Sequence, residues 1–110
     1  MCFQVKYFDY FNRFHTRLLG LMGRASYPKE RMAVLVPCQQ VHTFFMRFDI
    51  VVIYLDAQLR VLWIGVLPPW RIGPYFKQAH VVLESTDMDL LDRIAIGDKV
   101  QLASCSTMVE

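Results

Sequence analysis

The chain reads as a mainly β domain with one or two short helices, folded as a compact sandwich or a barrel-like sheet. Three observations predict that class. The longest apolar run, Ile50 to Leu55, has the length and β-branched content of a strand. Short apolar segments recur between turn signals at a spacing of roughly ten residues. Only two stretches carry a helical repeat, and both are short.

Each element follows from its residues. Phe3 to Phe8 is predicted as a strand, because Phe3, Val5 and Tyr7 alternate with Gln4 and Lys6. Asp9 or Asn12 can cap a helix whose apolar face is Phe11, Phe14, Leu18 and Leu21. Gly20 and Gly23 stop that helix near Met22. Tyr27-Pro28 is a loop, since a residue before proline avoids the helical region. Met32 to Val36 is a strand closed by Pro37, and His42 to Phe48 is either a strand or an extended approach. Ile50 to Leu55 is expected to be buried on both faces or central. Asp56-Ala57-Gln58 turns the chain into Arg60 to Leu67, its hairpin partner. Pro68 to Pro74 is a loop, because its three prolines lack the donors a central strand needs. His80 to Leu83 is a further strand. Asp87 to Ile94 is a short helix with Asp87 as its cap, and Ile96 to Lys99 turns into a last strand, Val100 to Ala103. The tail, residues 104–110, is expected to fray.

At 110 residues the chain is read as one domain, 1–110, able to build a core without staples. Apolar residues make up 55% of it, so much of that surface has to be buried in a core or against a partner. No stretch approaches the roughly 18 apolar residues of a membrane span. Lys6, Asp9, Asn12 and Arg13 interrupt every candidate secretory signal, and the expected location is the cytoplasm. The net charge of +2 is too small to imply nucleic acid. Residues 1–31 hold six Lys/Arg and two acids, while residues 85–110 hold five acids and two bases. Neighbouring, mutually neutralising ends explain that asymmetry more simply than a basic patch for an acidic partner. Cys2, Cys38 and Cys105 have no paired spacing, which argues against a disulfide framework.

Few residues suggest chemistry. Cys38 and His42 sit four apart, as a thiol–imidazole nucleophile pair or half of a metal site would. A second tight ligand pair is missing, so no metal and no cofactor are expected. The simpler reading has Cys38 buried and His42 bonded to the backbone. Asp56 is expected to hold its turn by accepting backbone amides. Glu84 ends an apolar strand, and pairing with Arg47 or Arg71 is the simplest way to bury it. Trp70-Arg71 is the best ligand-contact candidate, because Trp offers a flat apolar face and Arg a donor fork for carboxylate or phosphate. The plainer alternative makes Trp70 a lid over the core.

Several short motifs fall in order along the chain. They are Arg17, Gly20-Leu21-Met22 and Arg24, then Cys38 and His42-Thr43-Phe44, then Met46-Arg47-Phe48. Leu55-Asp56, Pro69-Trp70-Arg71, Val82-Leu83-Glu84 and Gly97-Asp98 follow. Together, over roughly residues 14–102, the chain resembles the domain of unknown function 192 family. The resemblance implies a compact, mostly β fold of jelly-roll-like character and no known reaction. The family carries Pro and Asp in the strand after Met-Arg-Phe, where this chain has Asp49 and Val51. A carboxylate shifted by two positions keeps its face but moves its aim by ~7 Å. Ser85-Thr86-Asp87 replaces the family's Pro-Ala-Gly.

The functional expectation is a non-catalytic binding or interaction module for a small polar or anionic ligand or a protein partner. His42, Trp70 and Arg71 are expected to border one concave surface, with Glu84 or Asp49 supplying the acid, and Asp56, like His42 and Arg71 at a strand end or adjoining loop, is a further ligand-binding candidate. Arg17, Gly20, Leu21, Met22 and Arg24 are read as a structural helix end. One alternative is a small hydrolase or a thiol- or metal-dependent enzyme using His42 with Cys38 or a nearby acid. Another is a structural subunit of a larger assembly, a homo-oligomer included.

Overall fold

The computed structural model describes residues 2–5, 7–11, 26–102 and 106–109. The expected first helix and the motif of Arg17, Gly20, Leu21, Met22 and Arg24 lie outside those residues.

The apolar run Ile50–Leu55 is strand β4, and every one of its residues is buried. Residues 51, 53 and 55 point into one core and 50, 52 and 54 into a second, because successive side chains of a strand alternate. The other strands are β1 (Cys2–Val5), β2 (Tyr7–Phe11), β3 (Arg31–Leu35), β5 (Val61–Leu67), β6 (Val81–Ser85), β7 (Lys99–Leu102) and β8 (Ser106–Val109). A single helical turn, α1 (Leu90–Arg93), precedes β7. One sheet has the order β5-β4-β6-β3-β2-β8, and β1 and β7 form a second, parallel pair. The mainly β, sandwich-like expectation holds.

The first core lies between the sheets. Val5 and Val100 from the small sheet, with Leu90 and Ile94 from the helical turn, meet Met32, Val34, Val51, Ile53 and Leu83. The second core covers the far face of the large sheet. Tyr54, Val52, Val82 and Leu35 are roofed there by Val41, Met46 and Ala79, which come from loops rather than strands.

Some boundaries differ from the sequence reading. The predicted strand Phe3–Phe8 divides into β1 and β2, which enter different sheets: Cys2 pairs with Lys99, and Tyr7 with Arg31. Asp9 is not a helix cap. It lies in β2, where it accepts from Tyr27 Oη at 2.6 Å and pairs with Arg31 at 2.7 Å. Asp87 is not the N-cap of the later helix; Asp89 is. Residues 106–109 of the tail pair in parallel with β2. Among the described residues no helix is long and apolar enough to cross a membrane.

Candidate functional site

Thr43 organises the loops that roof the second core. It is fully buried. Its hydroxyl donates to Pro68 O at 2.6 Å and accepts Arg71 N at 2.7 Å. Its carbonyl accepts Met46 N at 3.1 Å and Trp70 N at 2.9 Å, and its own N–H donates to Arg71 O at 2.8 Å. Two turns, Thr43–Met46 and Pro68–Arg71, are thereby closed around one residue. The pairing continues downward through an isolated bridge between His42 and Ile72 and a bond from Gly73 N to Val41 O. Gly73 has to be small: an added Cβ would lie 2.8 Å from Tyr54 Oη, which receives the Val41 N–H from above. Burial pushes the Tyr54 phenol up to about 12, so it stays neutral beneath the loops.

The two turns present aromatic rings. Phe45 and Trp70 each occupy the third position of their turn with φ of 64°. That left-handed conformation suits glycine and is costly for a bulky residue. Both side chains are more than half exposed, at 59% and 54%. Their ring centroids are 4.7 Å apart, and Phe44 joins the set at 5.8 Å from Trp70 and 4.7 Å from His42. Four rings from two loops therefore form one shelf. His42 is oriented by its own backbone, because Nδ1 accepts Phe44 N–H at 3.2 Å. Arg71 is exposed, and among the described residues its guanidinium donates to the neighbouring Trp70 carbonyl, at 3.4 Å.

The sequence candidates therefore separate. The loops that carry His42, Trp70 and Arg71 pair through their backbones, and Phe44 lies against both the His42 and the Trp70 ring. Asp49 is exposed and precedes Ile50, whose partner Leu67 leads into the Trp70 loop. Val51 is fully buried in the first core. Asp56 sits at the opposite end of β4, about 20 Å away at ~3.3 Å per residue. There its Oδ1 accepts Gln58 N at 2.9 Å and Arg60 N at 3.0 Å, so it is a turn residue. Glu84 is also apart. It is 4% exposed, flanked across the sheet by Ala33 and Val52, and lies on the second-core face. The expected pairing with Arg47 or Arg71 does not form; neither reaches it among the described residues. Burial alone pushes its carboxyl up to about 7. Cys38 is half-buried, with Sγ donating to Gln40 O at 3.3 Å.

Sequence reasoning missed Thr43 and Phe45. A buried hydroxyl between a His and two Phe was the available signal, since an apolar neighbourhood obliges a threonine to find partners. Nothing local marked Phe45 as left-handed.

The chain matches the model of the DUF192 family, domain of unknown function 192, described as Uncharacterized ACR, over residues 4–102. The match begins at residue 4 rather than near residue 14. A UPF0127 protein of Pyrococcus horikoshii is 34% identical over 76 residues, which is 64% of this chain and 64% of that one. The chain thus spans less than two-thirds of that relative's length. A UPF0127 protein of Pyrococcus abyssi is 31% identical over 96 residues, covering 82% of this chain and 80% of its own. A crystal structure of a protein of unknown function from Novosphingobium aromaticivorans shares the fold, with a TM-score of 0.71 at 19% identity. It covers 82% of this chain and 70% of that one.

Proposed function

The chain belongs to the domain of unknown function 192 family, and on that premise we propose that it is a non-catalytic binding module whose contact surface is the shelf of His42, Phe45, Trp70 and Arg71. The ligand is small, with a flat or apolar face to lie on the rings and an anionic group for Arg71. One observation carries this reading. Two bulky aromatics are held exposed in a backbone conformation that disfavours them, and neither belongs to a core cluster among the described residues. A fully buried threonine with satisfied hydrogen bonds fixes both, as a preorganised site requires. Hydrolysis fits less well, because Glu84, the most buried acid among the described residues, is not bonded to His42 and lies on the second-core face.

Titration with benzoate, glucuronate and inorganic phosphate, followed by nuclear magnetic resonance, tests the reading. The Trp70 indole and Arg71 guanidinium signals should move together with at least one of these probes. Trp70→Ala should abolish the response without unfolding the protein. Binding unaffected by Trp70→Ala would place the site elsewhere.

A further inference from the structure

Resting on the reading of the shelf as the contact surface, we propose that it meets its ligand at an anionic bilayer. The tips Thr43–Met46 and Pro68–Arg71 enter the headgroup region, the rings lie against the upper acyl chains, and Arg71 takes a lipid phosphate. An apolar face alone would not choose a lipid over a protein. Shape, hydrogen bonding and charge choose it together.

The apolar surface extends past the four rings. His42 and Ile72 are partners in an antiparallel bridge, so their side chains lie on one face. Ile72 is 64% exposed. From Phe45 through Trp70, Phe44 and His42 to Ile72 the surface is therefore continuous. Phe45 and Trp70 stand at turn tips, which project. A lipid in a bilayer needs no cavity around it, whereas a free small molecule is ordinarily held in one.

A segment that enters an apolar phase has to satisfy its own backbone donors, because no water is there to do so. Residues 44–46 and 68–71 carry five backbone N–H groups, since Pro68 and Pro69 have none. Four of the five donate within the protein. Phe44 donates to His42 Nδ1, Met46 and Trp70 to the Thr43 carbonyl, and Arg71 to the Thr43 hydroxyl. Among the described residues only the Phe45 N–H is left. A protein interface carries ~10 hydrogen bonds, and these tips keep few backbone donors to offer one.

The charges match an anionic surface. Residues 41–48 and 66–78 contain Arg47, Arg71 and Lys77, all exposed, and no Asp or Glu. Asp49 stands just outside them; three cations and that one acid still leave +2. Each cation near an anionic membrane strengthens binding about fivefold. The Arg71 guanidinium donates to the Trp70 carbonyl through one Nη, which leaves further N–H groups for a phosphate. Tryptophan between two such cations suits the boundary of headgroups and acyl chains, where an amphipathic ring is at home.

Co-sedimentation with vesicles of phosphatidylcholine, pure or with about 30% phosphatidylserine, tests this. The protein should bind the anionic vesicles at least roughly tenfold more tightly than the neutral ones. Bromine on the upper acyl chains should quench the tryptophan emission of the unaltered protein, and Trp70→Phe should remove most of that quenching. Phe45→Gly and Trp70→Gly, which keep the left-handed turns, should each weaken binding roughly tenfold. Arg71→Gln should weaken it about fivefold. Ile96→Ala, at an apolar position 68% exposed at the other end of the β4–β5 hairpin, should change nothing. No binding to anionic vesicles at millimolar lipid overturns the proposal and leaves the binding reading to its own titration with soluble anions. Binding that Trp70→Gly leaves unchanged, or that lipid bromine does not quench, overturns it too, because the membrane contact then lies elsewhere. A dimer that Trp70→Gly dissolves, with no vesicle binding, overturns it in favour of a second copy.

Discussion

The two ends of the β4–β5 hairpin use the same unusual backbone for opposite ends. At the Asp56 end, Leu59 has φ of 64°, and its side chain packs against the first core. Burial there compensates the strained backbone. At the other end, Phe45 and Trp70 have the same φ and point into solvent. Strain explained by packing belongs to the fold, and strain without a packing reason points to a surface kept for something else. The hydrogen bonding differs in parallel. Asp56 holds an exposed turn, whereas Thr43 holds two turns from inside a fully buried position.

Substitutions at both ends sharpen that contrast. Thr43→Val keeps the shape but strands Pro68 O and Arg71 N, so it should destabilise by about 3 kcal/mol in chemical denaturation, at roughly 1–3 per orphaned buried group. It should also weaken any ligand response of Trp70. A loss below about 1 kcal/mol would mean the two turns are not held through Thr43.

Glu84 probes the body between the two ends. Its carboxyl titrates near 7 in the fold, raised by burial from the ordinary value of 4.5. Between those values the folded state binds more protons than the unfolded one, so stability falls as pH rises. Below about 4.5 there is no penalty, and above about 7 it is complete, at up to roughly 3 kcal/mol. Glu84→Gln should flatten that slope and gain stability above neutral pH. A stability profile identical to the parent's from pH 5 to 8 would contradict the raised value.

The smaller effects compare the turns directly. Leu59→Gly relieves the backbone but removes packed surface, for a net loss of about 1 kcal/mol. Asp56→Ala should cost about the same, as lost side-chain caps do. Trp70→Gly should change stability by less than about 0.5 kcal/mol, since relief of strain offsets lost ring contacts. A large loss for Trp70→Gly would make the shelf structural and erase the difference between the ends.

Much of this was legible beforehand, and the limits have physical causes. Ile50–Leu55 declared itself through β-branched content and length, and Asp56 through the chemistry of turns. The approach of His42 to the Trp70 loop followed from hairpin register. Three things were not visible. Phe3–Phe8 looked like one strand because the partners that divide it, Arg31 and Lys99, are remote in sequence. Asp56 was grouped with Arg71, although an extended strand carries them to opposite ends. An arginine partner is expected for Glu84, yet its cross-strand neighbours are Ala33 and Val52, and burial raises its carboxyl toward the protonated form.

The pairing of β1 with β7 bears on how the protein is made. Cys2 cannot meet Lys99 until residue 99 has been synthesised. At ~5–20 residues per second, the first strand waits several seconds for its partner. Strands β3 to β6 can assemble during that interval, and Val5 and Phe3 close over Val100 only after it. A ribosome paused before residue 99 would hold a chain with one core roofed and the other open.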